Sequence, residues 1–342
     1  MQWAVILAGG AGSRFWPLST PATPKQLLPL AGPRSTAEEA MRRLEGLVPR
    51  ERVLLVTNAT LAEALGEGLG IAPANRLIEP KAMSTGPALV WATLEAQRRD
   101  PEAVVLSLHA DWSIPDEAAF RVTAHAALES AVTYDTLVTV GMVPSRPESG
   151  FGYIIPGEAL GADTWRVARF TEKPDPATAH ELIGQGALWN SGLFAWSARR
   201  LRAEIEAHTP EIREAMVHAA AGDVARFFAS VGSISIDVGV LERSSRVAVV
   251  RGGFAWDDIG TWESLARVRS PDARGNVVVG PAILHNCDGC IVWATDAPVV
   301  VSDLSYAVVV QANGRTLVTT RARAPELKVL LDALPAPVRN IP

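Results

Sequence analysis

Cysteine is almost absent. The chain carries two, Cys287 and Cys290, in 342 residues, which excludes a scaffold held together by disulfides. Their single C-x-x-C lacks the second pair of a structural zinc site, and His285 is the only histidine beside it in sequence. Cys-Asp-Gly-Cys reads as a turn between short strands rather than the start of a redox helix. The six histidines are scattered and no H-E-x-x-H occurs, so histidine-based metal chemistry is not indicated. No apolar run approaches the roughly 20 residues that span a bilayer; a membrane partner is not expected. Met1-Gln2-Trp3-Ala4-Val5-Ile6-Leu7 has no basic leader before a long apolar region, so the expected location is cytoplasmic. A net charge of −5 argues against a nucleic-acid partner while leaving room for a local phosphate pocket. With 48% hydrophobic and 20% charged residues, the chain is too apolar for disorder and ordinary for a globular protein. Lysine is scarce as well, four against 28 arginines (32 in all, less four). Two of the four, Lys25 and Lys173, fall in the motifs below.

The length favours one large domain plus a smaller one. Gln2 to Leu7 reads as a fully buried strand that runs into a Gly-rich loop. Ser35-Thr36-Ala37-Glu38 resembles a capping box that opens a helix. Val53 to Thr57, Leu77-Ile78, Ala103 to Leu108 and Leu137 to Val143 read as further strands, with helices after Thr60 and from Pro87. This βαβ rhythm predicts an α/β fold: a doubly wound, mostly parallel mixed sheet, Rossmann-like, with ligands beyond the carboxyl ends of the strands. After residue 144 strands and helices mix. From Gly275 short apolar runs recur about eight residues apart, which suits a small β-solenoid (β-helix-like) or sandwich. The expected division is 1–272 for the main domain and 273–342 for a small β-rich domain.

Leu7-Ala8-Gly9-Gly10-Ala11-Gly12-Ser13-Arg14 follows the first strand. A backbone without side chains can approach phosphate oxygens and aim several N–H groups at them. The loop is neither a P-loop, which needs G-K-[ST], nor the dinucleotide fingerprint, whose third glycine is here Phe15. It continues through Phe15-Trp16-Pro17-Leu18 to Pro24-Lys25-Gln26, so a positioned ammonium stands close to a loop that already holds Arg14.

This combination resembles the signature of the sugar-nucleotide pyrophosphorylases, and A-G-G-x-G-x-R-x-W-P-L-S with P-K-Q resembles the mannose-1-phosphate guanylyltransferases among them. The resemblance implies that Leu7, Ala8, Gly9, Gly10, Gly12, Ser13 and Arg14 hold the nucleotide, and that Lys25 stabilises charge on its triphosphate. Leu108-His109-Ala110-Asp111 ends an apolar strand; in isolation Asp111 would be a cap, but it is similar to the family's Mg²⁺ ligand. The family usually has proline and histidine where His109 and Trp112 stand, which alters the loop. In Trp256-Asp257-Asp258-Ile259-Gly260-Thr261-Trp262, Asp258 matches the aspartate of W-x-D-x-G-x-W, the partner metal ligand, with Asp257 as the alternative.

For the sugar-phosphate, Pro147-Glu148-Ser149-Gly150-Phe151-Gly152-Tyr153 resembles P-E-T-G-Y-G-Y, Phe170-Thr171-Glu172-Lys173-Pro174-Asp175 resembles F-x-E-K-P-D, and Trp189-Asn190-Ser191-Gly192 resembles W-N-S-G. These imply sugar-phosphate contacts at Gly150, Gly152, Tyr153, Glu172, Lys173 and Asn190. A lone E-K-P is usually a solvated pair and N-S-G a turn; order and spacing favour the functional reading. Glu79-Pro80-Lys81-Ala82-Met83-Ser84-Thr85-Gly86 resembles the base-recognition segment E-P-x-x-R-N-T-A, implying nucleotide contacts at Glu79, Thr85 and Gly86, with Met83 and Ser84 replacing arginine and asparagine. A carboxylate suits guanine, whose N1–H and N2–H₂ point the same way. The resemblance thus implies GTP and mannose-1-phosphate as substrates and Mg²⁺ as cofactor. It runs from Trp3 to about Trp262. The tail is too short for the isomerase domain of bifunctional relatives, and its outer face is left either to the main domain or to a homodimer.

Overall fold

The computed structural model describes residues 1–10 and 13–340. Packing divides the chain into two compact units: Met1–Gly9, Ala40–His109 and Ile114–Trp256 form the first, and Gly10–Glu39, Ala110–Ser113 and residues from Asp257 onward form the second.

The first unit is built on a nine-stranded mixed sheet. In chain order its strands are β1 (Gln2–Leu7), β2 (Val53–Thr57), β3 (Arg76–Ile78), β4 (Val104–His109), β5 (Leu137–Met142), β6 (Tyr153–Gly161), β7 (Thr164–Thr171), β8 (Leu188–Ser197) and β9 (Val247–Arg251). The spatial order is β3-β2-β1-β4-β8-β5-β9-β7-β6. The pairs β3–β2, β2–β1, β1–β4 and β5–β9 are parallel; β8 lies antiparallel between β4 and β5. The apolar run of β1 explains its place inside the sheet, where both faces need covering. Its register, Leu7 beside Val56 and His109, aligns the carboxyl ends of three strands.

The helices that accompany the sheet are α1 (Thr36–Arg43), α2 (Ala62–Gly68), α3 (Thr85–Arg99), α4 (Glu117–Thr133), α5 (Pro176–Gly184) and α6 (Ala198–His208), followed by three short ones between Pro210 and Ser230. The capping box before α1 is formed, with the Ser35 N–H donating to Glu38 Oε2 at 2.7 Å and the Glu38 N–H to Ser35 Oγ at 3.2 Å. The core joins Trp3, Val5, Leu89, Trp91, Val105, Trp196 and Phe228. Trp91 meets Phe228 edge to face at 5.3 Å. The buried Trp196 indole keeps a partner by donating to Thr93 Oγ1 at 3.1 Å. Among the described residues no helix is long and apolar enough to cross a membrane.

In the second unit, β10 (Val277–Val279), β12 (Ile291–Ala294) and β14 (Ala307–Ala312) stack in parallel, β11 (Ala282–His285) pairs in parallel with β13 (Val299–Ser302), and β15 (Arg315–Thr320) closes antiparallel on β14. Two stacked faces reached by alternate strands make a solenoid, not a sandwich. Its corners repeat: Asn286 and Asp303 both take positive φ, and Asn286 Nδ2 donates to Asp303 Oδ1 at 2.7 Å. Cys287 and Cys290 are free thiols buried inside it, each donating to backbone carbonyls. The core of this unit combines residues far apart in sequence. Phe15, Trp16, Leu18, Leu28 and Leu30 pack with Ile259, Trp262, Trp293 and Val308, and the Trp262 indole N–H donates to the Trp16 carbonyl at 3.3 Å.

Candidate active site

Chain continuity from β1 delivers the glycine loop. Past Leu7, the Ala8 N–H donates to the Val56 carbonyl at 2.9 Å, and Thr57 Oγ1 donates to the Ala8 carbonyl at 2.9 Å. Gly9 then lies against Glu79: a Cβ at Gly9 would stand 3.2 Å from Glu79 Oε2. Glu79 leaves β3 with its own N–H on the Thr57 carbonyl. Burial pushes its carboxyl up to about 7, so near neutrality it exists in both forms. The next residues diverge from a ligand-facing row. Met83 is buried in the core, and Ser84 caps α3 at φ 70°, ψ −178°. Thr85 Oγ1 accepts the Ile236 N–H at 3.0 Å, and the Gly86 N–H donates to the Ile234 carbonyl at 3.0 Å. Thr85 and Gly86 therefore hold the segment before a π-helical turn, Asp237–Leu241.

The second unit holds the remaining residues that the sequence assigned to the triphosphate and the metal. Gly12 lies outside the described residues, as does the Ser13 side chain, and Arg14 is exposed. Lys25 is buried in the one-turn helix Lys25–Leu27. Its Nζ donates to Asp111 Oδ2 at 2.9 Å and to the Asp258 carbonyl at 2.6 Å. A short bridge explains the convergence, since Ser113 and Asp257 pair their backbones and so bring the Asp111 and Asp258 segments together. Asp257 is committed to Arg267 and also accepts the Ile259 N–H at 2.9 Å. Burial pushes the Asp258 carboxyl up, with Lys25 opposing and the Asp257 and Asp111 charges adding to the rise. Ile259 holds φ 42° with a fully buried side chain. Among the described residues no three His, Cys, Asp or Glu side chains gather as a metal shell. Sequence reasoning passed over Gln26, whose Nε2 donates to the Gly10 carbonyl at 3.0 Å and so ties the glycine loop to the Lys25 turn.

The residues expected to contact the sugar-phosphate lie in the first unit. Gly152 is required by a close approach, because a Cβ there would stand 2.7 Å from Glu172 Oε2 and 2.9 Å from the Phe170 ring. The Asn190 N–H donates to the Gly152 carbonyl at 2.8 Å, so Gly152, Glu172 and Asn190 are brought together. Lys173 takes φ 46° and its Nζ lies 3.0 Å from Glu172 Oε1. Gly150 is exposed, its N–H turned back onto Glu148 Oε1 at 3.2 Å. Tyr153 is buried, and its hydroxyl accepts the Glu148 N–H at 2.9 Å, bracing the loop.

Three further residues complete this group. The Asn190 amide is held from both ends: Thr139 Oγ1 donates to its Oδ1, and its Nδ2 donates to Asp237 Oδ1, both at 2.7 Å. Glu242 Oε1 accepts the Glu172 N–H at 2.9 Å. The available signal for Asp237 is a lone acid inside the apolar run Ser233-Ile234-Ser235-Ile236-Asp237-Val238, where a carboxylate must find partners.

Residues 3–274 match the family described as Nucleotidyl transferase. The chain is 36% identical to the xanthan biosynthesis protein XanB of Xanthomonas campestris pv. campestris, over 98% of this chain and 74% of that protein. It is 34% identical to the mannose-1-phosphate guanylyltransferase of Escherichia coli, again over 98% of this chain and 74% of the relative. A solved structure from Thermus thermophilus, described as a mannose-1-phosphate geranyltransferase, superposes with a TM-score of 0.89 at 35% identity, covering 97% of this chain and 98% of the other.

Proposed function

Because the chain belongs to the nucleotidyl transferase family, and is therefore a nucleotidyltransferase, we propose that it transfers GMP from GTP to mannose-1-phosphate, yielding GDP-mannose and pyrophosphate. The observation that carries the reading is Lys25, buried with its ammonium on Asp111 and on the Asp258 backbone. A buried cation held by one carboxylate and one backbone carbonyl suits a reaction that brings two polyanions together.

An oxygen of the sugar's phosphate forms a bond to the α-phosphorus as the bond from that phosphorus to the pyrophosphate oxygen breaks. The attacking oxygen is already ionised, so no side chain has to remove a proton. The chain's own task is to place and neutralise. Gly9 and Gly10 offer backbone N–H groups to the nucleotide phosphates, and Arg14 and Lys25 supply positive charge. Glu79, when ionised, accepts from the guanine N1–H and N2–H₂. Glu172 and Asn190 meet sugar hydroxyls, and Lys173 meets the anomeric phosphate.

Asp111 and Asp258 offer oxygen donors only, the chemistry a hard divalent cation takes. The missing side chain at Gly260 leaves the Asp258 carboxylate its room, since a Cβ there would stand 2.7 Å from Oδ2. These residues fit Mg²⁺, which when bound supplies charge that offsets phosphate repulsion. Of the two neighbouring acids, Asp258 is favoured because Asp257 is held by Arg267.

The test is pyrophosphate release with Mg²⁺, crossing the four ribonucleoside triphosphates and dTTP against mannose-1-phosphate and glucose-1-phosphate. Preference for GTP with mannose-1-phosphate supports the proposal. Preference for another pair keeps the enzyme class and moves the specificity. Met83 and Ser84 are the observation that favours that second outcome, since they stand where the resembling segment has arginine and asparagine.

A further inference from the structure

Asp237 is an acid that none of the motifs marked, in a setting built with several separate restraints. It opens a π-helical turn, a conformation that is rare and concentrates at functional sites. That turn is fixed at its approach by Thr85 Oγ1 and the Gly86 N–H. Within it, the Gly239 carbonyl accepts from the buried Thr209 hydroxyl at 2.6 Å, and the Val238 N–H donates to Ser235 Oγ at 3.2 Å. This anchoring sets the Asp237 carboxylate 2.7 Å from Asn190 Nδ2.

We propose that Asp237 is a positioning residue for the sugar-phosphate, acting through Asn190. The inference rests on reading Asn190 and Glu172 as sugar-phosphate contacts. Asn190 has two amide hydrogens and two acceptor lone pairs. Its Oδ1 accepts from Thr139 and, at 3.3 Å, from the Gly192 N–H, while one Nδ2 hydrogen goes to Asp237. One amide hydrogen is left, in a plane set by the two flanking bonds, and the Glu172 carboxylate reaches Gly152, whose carbonyl accepts the Asn190 N–H. A donor next to an acceptor is the pairing that a hexose hydroxyl, which both donates and accepts, satisfies. Without Asp237 the amide keeps its Thr139 bond but loses the partner that fixes its far edge, and the remaining hydrogen is no longer aimed.

The charged groups around Asp237 give this arrangement a pH signature. Burial, with repulsion from Glu172, pushes its carboxyl up to about 6, against its own backbone N–H, Asn190 and Lys173. Glu172 is held in turn by its pairing with Lys173 and by Glu242 on its N–H. Above about 6 Asp237 is an acceptor for Nδ2; below it, the protonated carboxyl weakens that bond.

The experiment compares steady-state kinetics of the wild type, Asp237→Asn, Asp237→Ala and Asn190→Ala between pH 5 and 8, using the substrate pair that releases pyrophosphate best. Asp237→Ala is expected to raise KM for the sugar-phosphate roughly five- to tenfold, the loss of about one hydrogen bond, with KM for the nucleotide unchanged. Asp237→Asn offers Nδ2 a neutral acceptor, as the protonated carboxyl does, so its KM should be independent of pH, near the value the wild type reaches below pH 6 and lower than that of Asp237→Ala. Ionisation of the substrate's own phosphate is common to all variants and cancels in the comparison. A wild-type pH profile in Asp237→Asn, or an unchanged sugar-phosphate KM in Asp237→Ala, overturns the inference while leaving the sugar-site reading intact. An unchanged sugar-phosphate KM in Asn190→Ala, or no turnover with any pair, removes that reading and the inference with it.

Discussion

Arg267 grips Asp257 with two hydrogen bonds, Nε to Oδ2 at 2.6 Å and Nη2 to Oδ1 at 3.1 Å. The adjacent Asp258 has no such clamp and lies instead under the influence of Lys25 and Asp111. The proposed roles thus divide between neighbours in sequence, Asp257 for structure and Asp258 for chemistry. Asp258→Asn is expected to lower kcat/KM by at least about a hundredfold, with thermal stability held. Asp257→Asn is expected to cost about 1–3 kcal/mol by leaving a partly buried guanidinium short of its partner. Kinetics and melting curves on both variants decide it; the reverse pattern would exchange the two roles.

The Glu79 carboxyl, raised to about 7 by burial, predicts a pH effect on nucleotide binding. Guanine's donors need the ionised form, so KM for GTP should climb as pH falls from 8 through 7 to 6, and Glu79→Gln should flatten that slope while raising KM at pH 8. The stability sign runs the other way. The folded chain holds this proton more tightly than the unfolded chain, so ionising it destabilises, and stability falls as pH rises from about 4.5 to about 7. Glu79→Gln should melt a few degrees higher at pH 8 and no higher at pH 4. A pH-independent difference between the two proteins would remove burial as the cause.

Ser84 caps α3 at φ 70°, ψ −178°, a region that belongs almost solely to glycine. Its side chain makes no capping hydrogen bond and is exposed. Ser84→Gly should therefore stabilise the protein by about 1 kcal/mol, the relieved strain less glycine's extra chain entropy. A drop in melting temperature would mean that the hydroxyl has a use in this turn.

The regular part of the fold was legible because its signals are local. β1, with its unbroken apolar run, and the Ser35–Glu38 capping box stand where side-chain pattern and cap chemistry put them. The roles of the glycine loop, Lys25, Asp111 and Asp258 were taken from motif resemblance; the contact of Lys25 with Asp111 and the Asp258 backbone was not legible in the sequence. Other features depend on partners distant along the chain. Nothing near Phe15 or Trp16 announces that they will bury against Trp262. Helix α4 was not read from the sequence, because its alanine-rich surface gives a weak periodic signal despite the Asp116 cap. Thr85 and Gly86, taken as nucleotide contacts by resemblance, also carry a packing duty that only their hydrogen bonds to Ile234 and Ile236 reveal.

That last pair gives the sharpest prediction. A Cβ on Gly86 would come within 2.6 Å of the Ile234 carbonyl oxygen and 3.2 Å of Ile212 Cδ1. The first neighbour is backbone, so the chain before the π-helical turn has to shift, and that chain carries Asp237 toward Asn190. Gly86→Ala should then disturb a site more than a hundred residues along the sequence from it: KM for the sugar-phosphate rises several-fold, because the last amide hydrogen of Asn190 loses its aim. If Gly86 serves only to let backbone approach the nucleotide, the change falls on KM for the nucleotide alone. Thr85→Val, which removes the acceptor of the Ile236 N–H with little change in volume, should repeat the sugar-phosphate effect and cost about 1–3 kcal/mol for the orphaned donor. Steady-state kinetics with each substrate varied in turn separates the two duties, and a sugar-phosphate KM untouched by both variants would detach the π-helical turn from the site.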